Sequence, residues 1–389
     1  MANRRVGVIL GGRSTEHEVS VVTGIQVMKF LARRNTVVPI YIAKDGSWFT
    51  GAKLAELESY KAFNPKDPEL QSVVITPDRG VGVIQNPFPK GLLDKPKRLE
   101  LDAIFPAMHG MNGEDGTLQG LLELADLPYV GAGVLASAIC MDKVMTKIVL
   151  RGSGLPVLDF IFFSREEWER EEEAIVARVE AKFGYPVIIK PARLGSSIGI
   201  EVASTPDDLR FHISVATHFD SKIIIEPYLK ERADINCSVM GNHNLDVSVC
   251  EQPVSHEALL SFTEKYLQGQ RSQGMEGAKR IVPAPISTEM TAEVQRMAKE
   301  AFRAVDGTGI ARVDFLLDRG KNKLYVNELN TLPGSFAFYL WEPVGIPPEE
   351  LVDRLVNLAI EAHAEKSKTQ FISGNQLLQH ADFLGLKKG

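Results

Sequence analysis

The chain has 389 residues, 44% of them hydrophobic and 24% charged, with a formal net charge of -6; it is long enough for two or three domains with real cores and has the composition of a globular protein. The mildly acidic balance and the lack of a basic stripe argue against a nucleic-acid partner, and no apolar run is long enough to span a membrane. After Met1–Arg5 the apolar run Val6–Leu10 meets Gly11-Gly12-Arg13 rather than a signal-peptide cleavage pattern, and three cysteines without metal-ligand spacing (Cys140, Cys237, Cys250) read as reduced thiols of a cytoplasmic protein.

Val6–Leu10 reads as a buried strand. It runs into Gly11-Gly12-Arg13-Ser14-Thr15-Glu16 and then a helix carrying Val19, Val22, Ile25 and Val27. Strand, glycine turn and helix start make a Rossmann-like opening, without the full glycine fingerprint that a nicotinamide reading needs. Glu16, at the helix start, either answers the helix dipole or binds a ligand's ammonium. Val37–Ile42 is a second strand; residues 50–100 are Pro- and Gly-punctuated, with short strands at Ser72–Thr76 and Gly82–Ile84. Asp102–Pro106 is a further strand leading into His109-Gly-Met-Asn-Gly-Glu-Asp-Gly116 and a helix through Leu118, Leu121, Leu122 and Leu124. Two glycine-rich strand-to-helix loops fit ligand binding at the carboxyl edge of a parallel sheet. His109 reads as a loop residue or a ligand contact.

Met141-Asp142-Lys143 is expected on the next helix, which ends at Gly152–Pro156. Ser164-x-x-Glu167 is a capping box for a helix with Trp168, Ile175, Val179 and Phe183 on one face. Gly184–Pro191 is a strand ending in Lys190, followed by Gly195-Ser196-Ser197-Ile198-Gly199, whose backbone N–H groups and hydroxyls suit phosphates. Thr205 caps a helix with Pro206 at its first position, and Ile223–Leu229 is a strand leading out of this region. Residues 234–254 read as strands, and residues 255–280 as a polar segment long enough to suggest a functional lid. Ser287–Val305 and Pro348–Ala362 have helical periodicity.

Two apolar runs flank Asp318–Lys323 and read as a β-hairpin. Residues two apart in a strand share a face, so Arg312 and Asp314 point one way, and Val313, Phe315 and Leu317 the other. Glu328 and Asn330 share a face on the second strand, and a symmetric turn sets Asp314 nearly opposite Glu328. Charges buried in apolar strands are paired or bind metal. One reading is an Arg–Asp ion pair with a polar strand end; the other is a hard-cation site, because carboxylate and amide oxygens suit Mg²⁺.

Six segments in order resemble the D-alanine–D-alanine ligases of the ATP-grasp superfamily: Leu10–Ser20, His109–Gly116, Met141–Lys143, Val187–Gly199, Arg312–Asp314 and Asn327–Gly334. The match covers roughly Val6 to Ala362. It implies an α/β (α+β) fold of three domains: a Rossmann-like domain over 1–140, two ATP-grasp subdomains over 141–230 and 231–365 with the nucleotide between them, and a polar extension over 366–389.

The resemblance also implies roles. Lys143 and Lys190 would contact ATP phosphates, with Ser196 and Ser197 in the phosphate loop and Lys265 reaching the γ-phosphate from the lid. Glu226, Tyr228, Leu229 and Leu316 would line the adenine site, and Asp234 would hold the ribose hydroxyls. Asp314, Glu328 and Asn330 would hold two Mg²⁺ (or Mn²⁺) ions, with Glu328 bridging. Glu16 would take the first amino acid's ammonium, with His109 beside that substrate; Glu16, Ser196 and Tyr266 would form a hydrogen-bonded trio. Arg312 and the Gly334 N–H would stabilise the tetrahedral intermediate. The implied reaction joins two D-alanines through an acyl phosphate, in a cytoplasmic homodimer without a nucleic-acid or membrane partner.

Two departures stand out. Pro227 occupies an adenine-side position and has no N–H to donate. Gly334-Ser-Phe-Ala-Phe-Tyr-Leu340 replaces the usual pattern, so that Tyr339, preceded by Phe338, stands where a serine holds the second substrate's carboxylate. A tyrosine hydroxyl can donate the same bond, from further away. A ligase with another second substrate (D-lactate, D-serine or another amino acid) is the alternative; a nucleotide-binding protein without catalysis is opposed by the complete set of polar residues.

Overall fold

A computed structural model describes residues 3–88, 95–195, 198–254 and 280–370. Its first sheet takes seven strands in the order β6-β5-β4-β3-β2-β1-β7. These are β1 (Arg5–Gly11), β2 (Thr36–Ile42), β3 (Trp48–Thr50), β4 (Gln71–Ile75), β5 (Val83–Gln85), β6 (Lys97–Leu99) and β7 (Ala103–Pro106). Only the β2-β1-β7 centre is parallel, with Val8 opposite both Pro39 and Phe105; β3 to β6 extend it as an antiparallel meander. The helix α1 (His17–Leu31) crosses from β1 to β2, and the short α2 (Glu58–Lys61) lies in the excursion.

The buried side of α1 differs from the expected apolar stripe. His17, Ser20, Val21, Thr23, Gly24, Val27, Met28 and Leu31 face inward, while Val22 is exposed. The polar members are held by specific bonds rather than by apolar packing: Ser20 Oγ donates to the Ala107 carbonyl at 2.7 Å and accepts from the Gly11 N–H at 2.8 Å. Gly24 is required because a Cβ there would stand 2.7 Å from the Leu10 side chain.

Next come α3 (Thr117–Leu124), α4 (Val134–Met141) and α5 (Lys143–Gly152). Leu118 and Leu122 of α3 are buried, but Leu124 is exposed. Met141, Asp142 and Lys143 do not share one helix. Asp142 has an extended backbone (φ -98°, ψ 107°) and its carboxylate accepts from the N–H groups of Val144 and Met145. It therefore ends α4 and caps α5, which an aspartate favours over a helix interior.

The second sheet, in the order β10-β9-β11-β8, is built from β8 (Ile161–Ser164), β9 (Val187–Pro191), β10 (Glu201–Ala203) and β11 (Lys222–Pro227). α6 (Arg165–Phe183) and α7 (Pro206–Phe219) cover it. Ser164 and Glu167 form the expected capping box, and Thr205 caps α7 with Pro206 at its first turn. The third sheet, β14-β13-β12-β15-β16, takes β12 (Arg232–Met240), β13 (Asp246–Pro253), β14 (Arg280–Ile281), β15 (Ile310–Asp318) and β16 (Lys323–Asn330). The helix α8 (Thr288–Ala304), capped by Ser287, packs Val294, Met297, Ala298, Ala301 and Phe302 on it. Val313, Phe315 and Leu317 enter that core, as their period-2 spacing requires.

After β16 the chain makes a 3₁₀ turn (Gly334–Ala337), then α9 (Phe338–Trp341) and α10 (Pro348–Lys366). α10 lays Leu351, Val352, Leu355 and Val356 onto the first sheet's core beside Val8, Leu10 and Phe105. Fully burying such a side chain contributes about 1.5–3 kcal/mol. The two ends of the chain thus share one core. This packing carries the segment after the hairpin back against the Rossmann-like sheet: Phe336 meets Phe105 edge-on with ring centroids 4.8 Å apart, and Phe338 meets Phe30 at 5.0 Å.

Candidate active site

The β15–β16 ladder puts Asp314 directly opposite Glu328 and Arg312 opposite Asn330, with a register shift just after Asp314. Arg312 grips Asp314 with two bonds, Nε to Oδ1 at 2.6 Å and a terminal nitrogen to Oδ2 at 2.7 Å. Asn330 donates to the same Oδ2 at 3.0 Å. Burial pushes the Asp314 carboxyl up, Arg312 opposes the rise and the charge of Glu328 adds to it, giving about 6. The expected ion pair is present, and Glu328 and Asn330 lie against it in one cluster. Like charges directly across a ladder repel, and an all-oxygen set of two carboxylates and an amide fits a hard divalent cation that neutralises them. Among the described residues no group of three or more His, Cys, Asp or Glu could hold a metal ion.

Lys143, at the start of α5, spans the space between the second and third sheets. Its Nζ donates to the Leu194 carbonyl at 2.6 Å and lies 3.9 Å from Glu328. Lys190 on β9 donates to Glu226 Oε2 on β11 at 2.6 Å. The other oxygen of Glu226 is ion-paired with Lys147 of α5 at 2.5 Å. Burial alone would raise the Glu226 pKa, but the two lysines overcome it and hold the carboxyl at about 2. The Glu226 carboxylate is thus committed to two lysines. Lys147 escaped the sequence reading because a lysine on an amphipathic helix reads as solvated.

Asp234 and Leu316 are directly opposite each other on β12 and β15. Tyr228 and Leu229 follow β11 and are half-buried, with the Arg232 guanidinium 5.9 Å from the Tyr228 ring centroid. Ser196, Ser197, Lys265 and Tyr266, with residues 255–279 of the expected lid and the extension from 371 onward, lie outside the described residues.

The two glycine-rich loops of the first sheet meet over the end of α1. Glu16 is buried at the helix start and makes no side-chain capping bond. A Cβ on Gly110 would stand 2.6 Å from Glu16 Oε2, with φ +71° adding strain, so only glycine lets the loop approach this carboxylate. His109 is buried, bonds Thr23 Oγ1 through Nε2 at 2.9 Å, and is held near 4 first by burial and then by the charge of Arg312, against a bond with the Leu332 backbone. It is therefore a neutral imidazole. Thr23 also accepts from the Ser335 N–H at 3.5 Å, tying α1 to the turn after Gly334. In that turn Ser335, Phe336 and Ala337 all have positive φ, 48°, 47° and 51°, a left-handed run that L-residues tolerate only when surrounding packing fixes it.

Two further groups belong here. Glu114 is pushed up to about 8 by burial and then by the charge of Glu16, while its Oε2 accepts from the Gly110 N–H at 2.6 Å. Tyr339 donates its hydroxyl to Glu251 Oε1 at 2.5 Å, Asn236 donates to the same oxygen at 3.0 Å, and the Arg280 guanidinium lies 3.8 Å from the Tyr339 ring centroid. Glu114 was visible as part of the glycine loop. Glu251 and Arg280 carried no local signal.

The amino-terminal region matches the family model "D-ala D-ala ligase N-terminus" over residues 5–132, and the rest matches "D-ala D-ala ligase C-terminus" over 149–357. A D-alanine–D-alanine ligase of Heliobacterium modesticaldum is 39% identical over 375 residues, covering 95% of this chain and 98% of its own length. Among solved structures, the D-alanine–D-alanine ligase of Coxiella burnetii is 30% identical with a TM-score of 0.77, covering 94% of this chain and 98% of its own. The D-Ala:D-Ser ligase of Enterococcus faecalis is 29% identical with a TM-score of 0.78, covering 92% and 100%. These solved relatives share the mixed α/β ATP-grasp architecture. With both family models spanning most of its length and a relative this similar over nearly all of it, the chain belongs to the D-alanine–D-alanine ligase family.

Proposed function

We propose that the protein joins two D-alanines into D-alanyl-D-alanine for peptidoglycan synthesis, cleaving ATP to ADP and phosphate. The observation that carries this reading is the meeting of three elements. The Asp314–Glu328–Asn330 oxygen cluster and its Arg312 lie on the hairpin, Lys143 reaches Glu328 from α5, and the buried Glu16–Glu114 pair closes the first sheet's loops.

Amide formation from a carboxylate needs an activated acyl group. In this reading Glu16 holds the donor's ammonium, so the donor carboxylate reaches toward Arg312 and the γ-phosphate. Its oxygen takes the γ-phosphoryl group and ADP leaves; the acceptor amine then attacks the carbonyl carbon and phosphate departs with that oxygen. Lys143, Lys190 and Lys265 orient and neutralise the phosphates, a positioning and charge task. Ser196 and Ser197 add phosphate-loop donors, and Asp234 with the Glu226–Leu229 segment and Leu316 seats the nucleoside. Asp314, Asn330 and Glu328 would hold two magnesium ions, or manganese in their place, which would supply charge neutralisation on the phosphates. Arg312 and the Gly334 N–H face the oxyanion. The Glu16–Ser196–Tyr266 trio excludes water from the acyl phosphate.

We read the chain as three domains (1–140, 141–230, 231–365) with an extension over 366–389, working as a cytoplasmic homodimer. Among the described residues no helix is long and apolar enough to cross a membrane. A second reading, an acceptor other than D-alanine, is favoured by Tyr339, whose hydroxyl is engaged by Glu251. Purified protein with Mg²⁺-ATP and a panel of D- and L-amino acids, followed by phosphate release and product mass, tests both. The account expects D-alanyl-D-alanine with matching phosphate. Phosphate only with a different acceptor replaces D-alanine as the second substrate, and none with any pair overturns the ligase reading.

A further inference from the structure

We propose that Thr23 is a positioning residue for the oxyanion donor: its hydroxyl, together with the His109 ring, clamps the chain on both sides of Gly334. The inference rests on the ligase reading, in which the Gly334 N–H faces the oxyanion, and concerns how that N–H is held.

An oxyanion donor works when it is aimed before the charge develops. Gly334 is poorly equipped to aim itself. Glycine has the freest backbone of any residue, and here it opens a turn in which Ser335, Phe336 and Ala337 all take positive φ, a conformation that L-residues resist. The turn beyond Gly334 is held by packing and by its own bond. Phe336 meets Phe105 edge-on, Phe338 meets Phe30, and the Phe336 N–H bonds the Pro333 carbonyl at 2.7 Å. The peptide units that flank Gly334 are held from elsewhere, by the loops and the helix of the first sheet.

On the far side, Thr23 Oγ1 accepts from the Ser335 N–H at 3.5 Å. The same oxygen bonds His109 Nε2 at 2.9 Å. On the near side, the His109 ring bonds the Leu332 main chain, and Glu114 bonds it as well. Pro333, between the two pins, locks its own φ at -63°. One hydroxyl therefore joins both sides of Gly334: it touches Ser335 directly and Leu332 through His109. A threonine can do this because a hydroxyl donates once and accepts twice. Thr23 and His109 are 1% and 4% exposed, so solvent does not replace a bond that is lost there, and the unpaired partner bears the cost. The aim of the oxyanion donor is thus set by α1, which lies in another sheet's layer and makes no claim on the reacting atoms.

The test compares two ligands that differ at the reacting centre. D-Alanyl-D-alanine is planar there; its analogue with a phosphinate in place of the amide is tetrahedral and carries a charged oxygen. Both are titrated calorimetrically into the full-length enzyme with Mg²⁺-ADP, so that no phosphoryl transfer intervenes. Thr23→Val keeps the shape and removes the hydroxyl. It should weaken the phosphinate about tenfold while changing the planar dipeptide by less than about twofold, because only the tetrahedral ligand reads the aim of the donor. Its kcat should fall by a similar factor with the KM for ATP unchanged. Thr23→Ser, which keeps the hydroxyl, should bind both ligands as the wild type does. Equal weakening of both ligands in Thr23→Val makes the residue merely structural and overturns the proposal, as does no weakening of either; should that variant fail to fold, Thr23→Ala is read in the same way. Loss of phosphinate binding in Thr23→Ser assigns the effect to the methyl group and also overturns it. A wild type that makes the dipeptide but binds the phosphinate no more tightly removes the oxyanion role of Gly334 and the proposal with it. Failure of the wild type to make any dipeptide would instead strike the ligase reading.

Discussion

Lys147 and Glu226 form an ion pair sealed from water, Nζ to Oε1 at 2.5 Å, with their side chains 1% and 0% exposed. Lys190, from a different strand, completes the group through the second oxygen at 2.6 Å. Two cations thus converge on one carboxylate between β9, β11 and α5, so the placement of Lys190 depends on Lys147 holding Glu226 in position.

Removing one partner of a buried pair leaves the other uncompensated, which costs about 3–5 kcal/mol. Lys147→Met leaves Glu226 with Lys190 alone, so it should lower the urea-unfolding free energy by an amount of that order and raise the KM for ATP. Unchanged stability and unchanged KM would contradict the assigned pairing.

The same carboxylate sets an acid limb. Glu226 is held at about 2, below its ordinary 4.5, so the folded state binds fewer protons than the unfolded chain in this window. Its contribution to stability is complete above about 4.5 and is lost as the pH falls toward 2. The difference in unfolding free energy between wild type and Glu226→Gln should therefore shrink as urea titrations move from neutral pH to the acid limb. A constant difference would contradict the assignment.

Glu114 works in the opposite direction. Burial and the neighbouring charge of Glu16 raise it to about 8, so it is mostly protonated at neutral pH. An ammonium arriving beside the pair favours the ionised form. Binding of D-alanine at neutral pH should then release protons, seen as a dependence of calorimetric heat on the buffer's ionisation enthalpy. Glu114→Gln should abolish that dependence. Proton uptake by the wild type would have the wrong sign.

Glu328→Ala removes one oxygen donor and the carboxylate facing both Asp314 and Lys143. It should abolish phosphate release while leaving the circular dichroism spectrum and unfolding midpoint close to wild type, because Glu328 faces the site rather than the core. Retained turnover would count against the metal role.

The hairpin was legible because period-2 alternation in β15 and β16 fixes both faces, and a symmetric turn fixes the pairing of Asp314 with Glu328. The inner face of α1 was not. Periodicity looks for apolar residues, and here Ser20 and Thr23 turn inward to bond the loops that form the site. Asp142 was read as helical because its capping role depends on the chain leaving α4, which no local pattern announces. Glu251, Arg280 and Tyr339 lie on separate elements and meet only through the third sheet and the return of the chain to the first. Such a cluster is set by tertiary packing.

The central claim is that this site forms an amide through an acyl phosphate, and the fate of one oxygen atom tests it most directly. D-Alanine labelled with oxygen-18 in its carboxylate, incubated with Mg²⁺-ATP and the enzyme, should yield inorganic phosphate carrying one labelled oxygen for each dipeptide formed. Dipeptide formation with unlabelled phosphate would contradict the account.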